Sequence, residues 1–418
     1  MKTKTKQQAR KISKLRFPEF SEEWKEKRLW EIIKNIADGG TPSTTKQEYF
    51  NGNIKWVVID DIKDEIFNTK QTLSEQGLRN SSAKLWSVGT IILSTGATIG
   101  EVGIAMVPVA TKQGIVGIVC KKKLVVNIFL KYWFQYNKRL LLRYAQGSSI
   151  KEVRSPTIKK FKISLPSLPE QQKIAEFLSA VDGRINILRD KREALAKYKK
   201  GIMQKIFPAK GKKNPEIRFK DNNGRDFPEW KEKRLGEIGE FLKGQSLSKN
   251  DVAEGGKNEC VLYGELYTTY DEVINIVKSK TDSNFGIKSN KGDVLIPSST
   301  TTSHIDLANA TAILRDGVLL GGDINILRNT KGLFDAIFLA YYLTNHKKHE
   351  IARLAQGTTI VHLYYSHLKK LKISLPSLPE QQKIASFLSA IDQKIELVDT
   401  QIQKMQEWKK GLMQEMFV

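Results

Sequence analysis

The sequence predicts an α/β (α+β) protein with a pseudo-twofold internal repeat: two divergent globular domains, each followed by one long helix. Three observations predict it. The stretch Ser164 to Asp182, SLPSLPEQQKIAEFLSAVD, recurs almost letter for letter as Ser374 to Asp392, SLPSLPEQQKIASFLSAID. Apolar residues then recur every seventh position, at Ile174, Val181, Leu188, Leu195 and Ile202 and again at Ile384, Ile391, Val398, Met405 and Leu412, which is the spacing of a helix-pairing seam. The segments ahead of both runs are rich in β-branched residues and turn glycines, the composition of strands joined by loops.

In each repeat a Pro-x-x-Pro keeps the chain extended up to the second proline, and Glu-Gln-Gln opens the periodic run. The companion seam positions are Leu178, Ile185, Arg192, Lys199 and Ile206, then Leu388, Ile395, Ile402, Lys409 and Met416, so charges interrupt the stripe. Two such stripes in one chain are most economically buried against each other, giving a two-helix rod with a globular domain attached to each member.

A chain of 418 residues with 40% apolar content can bury two or three ordinary cores. No apolar run reaches membrane-spanning length, and Met1 to Leu15 lacks the apolar segment of a secretory signal, so the expected location is the cytoplasm. Cys120 and Cys260 suggest neither a disulfide framework nor a zinc site and read as small core residues. The balance of 69 Lys and Arg against 45 Asp and Glu gives a net charge of +24. The helical runs are nearly neutral, so the globular parts carry the excess. A polyanion is the leading partner; a merely solubilising surface is the alternative.

Residues 1–14 hold six basic and no acidic side chains and read either as an arm, touching DNA or trailing free, or as an N-terminal helix docking elsewhere. Trp24 and Trp230, each followed by Lys-Glu-Lys-Arg-Leu, open the two globular segments and read as core anchors. The first domain occupies 1–165 with its arm, the first spacer helix 166–207, a linker 208–226, the second domain 227–375 and the second spacer helix 376–418. After Gly39-Gly40 come Thr41, Ser43 and Lys46 in a turn-rich loop, then a strand expected at Trp56 to Ile59. Val88 to Val107 reads as two strands around the loop Ser94 to Gly100, in which Ser94, Thr95 and Thr98 either approach a phosphate or base edge or simply close a hairpin. Val125 to Tyr144 has helical spacing, with Lys131, Lys138, Arg139 and Arg143 forming an expected positive face. AQGSSIKEV, carrying Lys151, closes the first domain, and AQGTTIVHL closes the second. The second interior shares strand and turn character with the first but few letters. The helix starts are identical, which suits one partner surface used twice; recent recombination between the repeats is the alternative.

Catalytic motifs are missing. The sequence has no Gly-x4-Gly-Lys-[Ser/Thr] loop for ATP. Its one Asn-Pro, Asn214-Pro215, is followed by Glu216 and lacks the Pro-aromatic pair that holds a flipped adenine. All five histidines lie in the second half; His346 and His349, at helical spacing without a metal-binding companion, read as solvated.

The junctions Leu165 to Ala175 and Leu375 to Ala385, the WKEKRL segments, GGTPS at Gly39 and STGATIG at Ser94 resemble the specificity subunit of type I restriction-modification systems over nearly the whole chain. The resemblance implies two target recognition domains, each reading one half of a bipartite DNA site, and two helices that pair antiparallel as a spacer. It implies two methyltransferase subunits docked on the helix starts, with Gln171, Gln172, Phe177, Gln381, Gln382 and Phe387 as interface residues, and motor-nuclease subunits joining later. S-adenosylmethionine, ATP and magnesium then belong to those partners, and this chain holds no catalytic, cofactor or metal site. The second domain lacks STGATIG, and Ser298 to Ser303 stands as its contacting loop, with Ser298, Ser299, Thr300 and Thr301 as candidate contacts. Two other classes compete: a stand-alone DNA methyltransferase or nuclease, and a basic scaffold binding RNA.

Overall fold

The computed structural model describes residues 13–147, 151–209 and 211–417. All but the last two residues of the basic N-terminal run lie outside the described residues, as do Ser148, Ser149 and Ile150. The long helices run from Leu168 to Ile206 and from Leu378 to Met416, each carrying its proline in the first turn, where no intrahelical N–H is needed. The chain divides into two compact units that cut through these helices. Unit 1 runs to Arg189 and resumes at Thr400, and unit 2 is Asp190–Asp399.

In unit 1, Lys25–Arg28 pairs antiparallel with Lys162–Leu165, tying the start of the domain to its exit. Between them lie a five-stranded sheet, in the order Ile33–Asp38, Ile115–Cys120, Ile91–Ser94, Val102–Ala105 and Glu65–Ile66, and a four-stranded one ordered Gln71–Leu73, Phe50–Val57, Val109–Thr111 and Leu85–Trp86. The strand expected at Trp56 to Ile59 starts earlier and stops at Val57. There Asp61 accepts the Val58 N–H at 3.0 Å and opens a 3-10 turn. Helices Asn127–Tyr136 and Lys138–Arg143 follow. Their expected positive face is incomplete: Lys131 is buried against Asp64 at 3.0 Å, and Lys138 pairs with Glu101 at 2.6 Å. Arg139 and Arg143 stay exposed.

Unit 2 repeats the frame with other letters. Lys231–Arg234 pairs with Lys372–Leu375 in the same register. Its five-stranded sheet is ordered Glu240–Lys243, Ile324–Arg328, Asp293–Pro297, Thr311–Ile313 and Val273–Ile274. A π-helical turn, Tyr342–His346, follows the helix Ala336–Tyr341. His346, expected in solvent, instead packs on Tyr342 and Phe207 at centroid distances of 5.0 and 5.9 Å, and burial holds its imidazole below the ordinary pKa. His349 is exposed.

The helices are built into the domain cores rather than standing apart as a rod. In unit 1, Ile174, Ala175 and Leu178 share a core with Trp24, Phe129 and, from the far end of the second helix, Met416 and Phe417. In unit 2, Ile384, Ala385 and Leu388 do so with Trp230, Phe338, Ile206 and Phe207. The tryptophans are 5% and 4% exposed, core anchors as expected. Within unit 2, Arg192 meets Asp399 at 3.0 Å and Lys199 meets Asp392 at 2.7 Å; partners that ascend one helix as they descend the other define an antiparallel pair. The expected linker 208–226 is docked within residues 211–226: Ile217 N donates to Lys205 O at 3.0 Å, and Phe219 packs on Phe387. Truncating Phe207 to Ala should cost about 3–5 kcal/mol. Hydrogen exchange should show lost protection at 336–354 while 127–143 is unchanged; uniform loss would contradict the assignment of Phe207 to one core.

Candidate nucleic-acid interface

In each unit the middle strand of the five-stranded sheet runs into a loop held from both sides. In unit 1 the strand Ile91–Ser94 enters Ser94–Gly100. Thr95 and Gly96 donate their N–H groups to Gly114 O at 2.8 and 3.1 Å, and Thr95 O accepts from Val153 N at 2.9 Å. Gly39 and Gly40 donate to Ile115 and Thr111 at 2.9 Å. A Cβ on Gly39 would fall 2.2 Å from Thr111 O, so only glycine permits that approach. The turn at 111–115 therefore seats the loops at 39–46 and 94–100, and residues 152–153 join them through Gly96 and Thr95. Sequence reasoning overlooked its Lys112 and Gln113, both exposed.

Of the residues expected to touch DNA in unit 1, Thr98, Lys151, Ser43 and Lys46 are exposed and Thr41 is half-buried. Ser94 and Thr95 are not available: both are at 0% exposure. Ser94 Oγ donates to Thr98 O and accepts from Glu101 N, so its hydroxyl closes the loop. The Thr95 hydroxyl is buried without a hydrogen-bond partner. Lys46 is turned onto the Tyr49 hydroxyl at 3.2 Å, and Ser43 onto Thr45 at 2.9 Å.

In unit 2 the strand Asp293–Pro297 enters Ser298–Ser303 by the same scheme. Ser298 N donates to Asp323 O at 2.7 Å, Leu363 N donates to Ser298 O at 2.9 Å, and Gly244 N donates to Ile324 O at 2.9 Å. Gly114 and Asp323 sit at the same corner with φ of 82° and 61°, the left-handed region that aspartate tolerates better than most. Ser298, Ser299 and Thr300 are buried, because Ser299–Thr300 pairs with Val361–His362. Thr301 and Thr302 are exposed, as is His304, which sequence reasoning left out. Asp306 fixes this tip by accepting from Thr302 Oγ1 at 2.6 Å and Ser303 Oγ at 3.0 Å. Burial alone would raise the Asp306 carboxyl, but those hydroxyls and the Ser303 N–H hold it below its usual range.

The expected partner-docking residues divide in the same way. Gln171 is buried: its Oε1 accepts Val126 N at 2.9 Å and its Nε2 donates to Leu124 O and Pro166 O. Gln381 does the same with Asp335 N, Leu333 O and Pro376 O. Both are structural amides, and their identity in the two repeats is explained by the joint they close. Gln172 and Gln382 are exposed. Phe177 lies half-buried between Phe17 and Trp408, and Phe387 beside Phe219, so each ring also packs within its own unit.

Among the described residues no cluster of His, Cys, Asp and Glu could hold a metal. Burial pushes the Cys120 thiol up to about 12, and burial with Glu265 pushes Cys260 up to about 11, leaving neither as a nucleophile. No helix among them is long and apolar enough to cross a membrane. What the loops offer is hydroxyl, amide and ammonium groups on a rigid frame, the chemistry of groove and phosphate contact.

The family model of the type I restriction modification DNA specificity domain matches twice, over residues 21–197 and 228–407. The chain belongs to this family. It is 26% identical to the type I restriction enzyme MjaIX specificity subunit of Methanocaldococcus jannaschii, over 94% of this chain and 92% of that protein. It is also 26% identical to the MjaVIII specificity subunit of the same organism, over 96% and 92%. Its fold is similar to the type I S subunit structure from M. genitalium, with a TM-score of 0.60 and 17% identity over 97% of this chain and 99% of that one. The specificity subunit is thus the non-catalytic, DNA-recognising member of a type I restriction-modification complex, with two repeated domains that fit a bipartite site.

The two glutamines at each helix start should separate on mutation. Gln381→Leu strands buried backbone groups at a cost of about 1–3 kcal/mol each, whereas Gln382→Ala should change stability by no more than about 0.5 kcal/mol. Urea unfolding of the two variants checks this, and equal losses would contradict the assignment.

Proposed function

We propose that each globular domain of this specificity subunit reads one half of a bipartite duplex DNA site, and that the exposed start of each long helix docks one methyltransferase subunit. Motor-nuclease subunits complete the restricting assembly. S-adenosylmethionine, ATP and magnesium come with those subunits, and this chain supplies the address. The observation that carries the reading is the pair of identical backbone corners with different tips. Thr95 on Gly114 and Ser298 on Asp323 use the same hydrogen bonds, yet the first corner presents Ala97 and Thr98 and the second Thr301 and Thr302. Equivalent positions with different side chains suit two half-sites of different sequence. Base edges fall to Thr98 in unit 1 and to Thr301, Thr302 and His304 in unit 2. Phosphates fall to Lys112, Lys151, Arg139 and Arg143 in unit 1, whose charge should give a salt-dependent affinity.

For the methyltransferases, Gln172 and Gln382 with the outer edges of Phe177 and Phe387 form the docking faces. In unit 2 an open groove of about 430 Å³ beside Phe219, Phe227, Pro379, Gln382 and Lys383 enlarges that face. Replacing residues 39–150 with the matching segment of another family member should change one half-site in methylation maps and leave the other intact. A change in both would refute independent reading.

The paired helices are proposed to set the spacing between half-sites. Asp182 to Lys199 on one helix and Asp392 to Lys409 on the other are the same interval, so lengthening one helix alone would break one of the charged pairs. A turn of four residues added after both Asp190 and Thr400 should instead lengthen the pair by about 6 Å, or one to about two base pairs at about 3.4 Å each. Methylation mapping should find the longer spacer with both half-sequences kept; an active variant with the old spacer would show that the helices do not set it.

A further inference from the structure

A half-buried charged cluster recurs in both units although the surrounding letters differ. In unit 1, Lys409 from the second long helix lies 2.6 and 2.8 Å from the two Asp182 oxygens. Tyr132 donates its hydroxyl to Asp182 Oδ2 at 2.7 Å, and its ring lies 5.0 Å from the Lys409 ammonium. Gln135 accepts from Lys409 at 3.5 Å and donates to Asp64 Oδ1 at 2.9 Å. Asp64 directly precedes Glu65–Ile66, the edge strand of the five-stranded sheet.

In unit 2 the parts are Lys199 from the first long helix, Asp392 at 2.7 Å, and Tyr341, whose hydroxyl donates to Asp392 and whose ring lies 4.9 Å from the ammonium. Asn345 donates to Glu272 at 2.8 Å, and Lys199 reaches Glu272 at 3.4 Å. Glu272 directly precedes Val273–Ile274, again the edge strand. The tyrosine-to-amide interval is one residue longer here, and the π-helical turn Tyr342–His346 takes up the difference. Aspartate is replaced by glutamate and glutamine by asparagine, but the chain of contacts from sheet edge to helix is kept.

Each lysine comes from the long helix that does not directly follow its domain in sequence. Apolar contacts such as that of Phe417 are non-directional and tolerate sliding. A lysine wedged between two carboxylate systems does not, because one turn of slippage leaves a half-buried aspartate without its cation. We propose that Lys409 and Lys199 are positioning residues that lock the sheet edge of each recognition domain onto the helix pair, and so restrict the base-pair spacing the subunit accepts. This rests on the bipartite reading and the methyltransferase partners proposed above.

The test uses the full chain assembled with its methyltransferase, on duplexes carrying both half-sites at the parent spacing and at one base pair fewer or more. In Lys409→Met and Lys199→Met the preference for the parent spacing should narrow by about tenfold, equivalent to about 1.4 kcal/mol, with the sequence of each half-site unaltered. Tyr132→Phe, which removes one hydroxyl from Asp182, should narrow it by a smaller factor and carries the test if the lysine variants do not fold. An active variant that lost only thermal stability and kept the full spacing preference would overturn the proposal. A parent assembly that methylates no spacing at all would instead overturn the partner assignment.

Discussion

Glu380 has no exposed side-chain surface, and its carboxylate stands there because Arg218 meets both of its oxygens, at 3.0 and 2.7 Å. Arg16 does the same for Glu170 at 2.7 and 2.8 Å. A fork-to-fork pair of this kind satisfies both charges at once, and removing either partner of a buried pair costs about 3–5 kcal/mol. Each arginine also donates to the backbone two residues ahead of the anchoring tryptophan, at Glu22 O and Pro228 O. One ion pair thus fixes the start of the helix, the approach of the chain and the site of the tryptophan together. The adjacent glutamine then sews the helix start to the domain wall. Trp24 and Trp230 in turn pack into the cores beneath the loop-bearing sheets.

The joint accounts for which letters the two repeats share. Glu170-Gln171 and Glu380-Gln381 face inward with every polar group paired, so nearly any substitution leaves a buried donor or acceptor unmatched. Inside the domains the constraint is weaker. A sheet needs apolar residues of about the right size and a few tight backbone approaches, and many sequences meet it. Gly39 under Thr111 and Gly244 under Gly321 serve the same approach amid otherwise different letters. Shared letters therefore mark the joints at the helix starts, while different letters over the same backbone fall where the proposed reading surface lies.

Much of this was legible in the sequence. The long helices, the strands flanking Ser94 to Gly100 and the buried tryptophans followed from periodicity and composition. Three things did not follow. Arg16-Phe17 and Arg218-Phe219 form equivalent contacts, yet the loop that runs on to the tryptophan is longer in unit 2, so the two arginines fall out of register when the letters are matched. Lys199 and Lys409 looked like flaws in the seam, because a heptad count has no means of seeing Asp392 or Asp182 across the helix pair. Hydroxyl-rich loops were read as contact surfaces when Ser94 and Thr300 spend their hydroxyls on the loop itself; composition names the donor but not the direction it points.

That last point bears on how specificity is stored. A loop whose hydroxyls close its own turn is stiff, and a stiff loop loses little conformational entropy when it meets DNA. Its cost is that few side chains remain free. In unit 1 only Ala97 and Thr98 of the Ser94–Gly100 loop are exposed, and Lys112, Gln113 and Lys151 are exposed on the segments joined to it. Because those segments come from distant parts of the sequence and meet through backbone hydrogen bonds, a side chain can change at one tip without moving the others. A frame held by main-chain contacts, with a handful of exposed side chains at its tips, suits the proposed reading of two different half-sites by one fold.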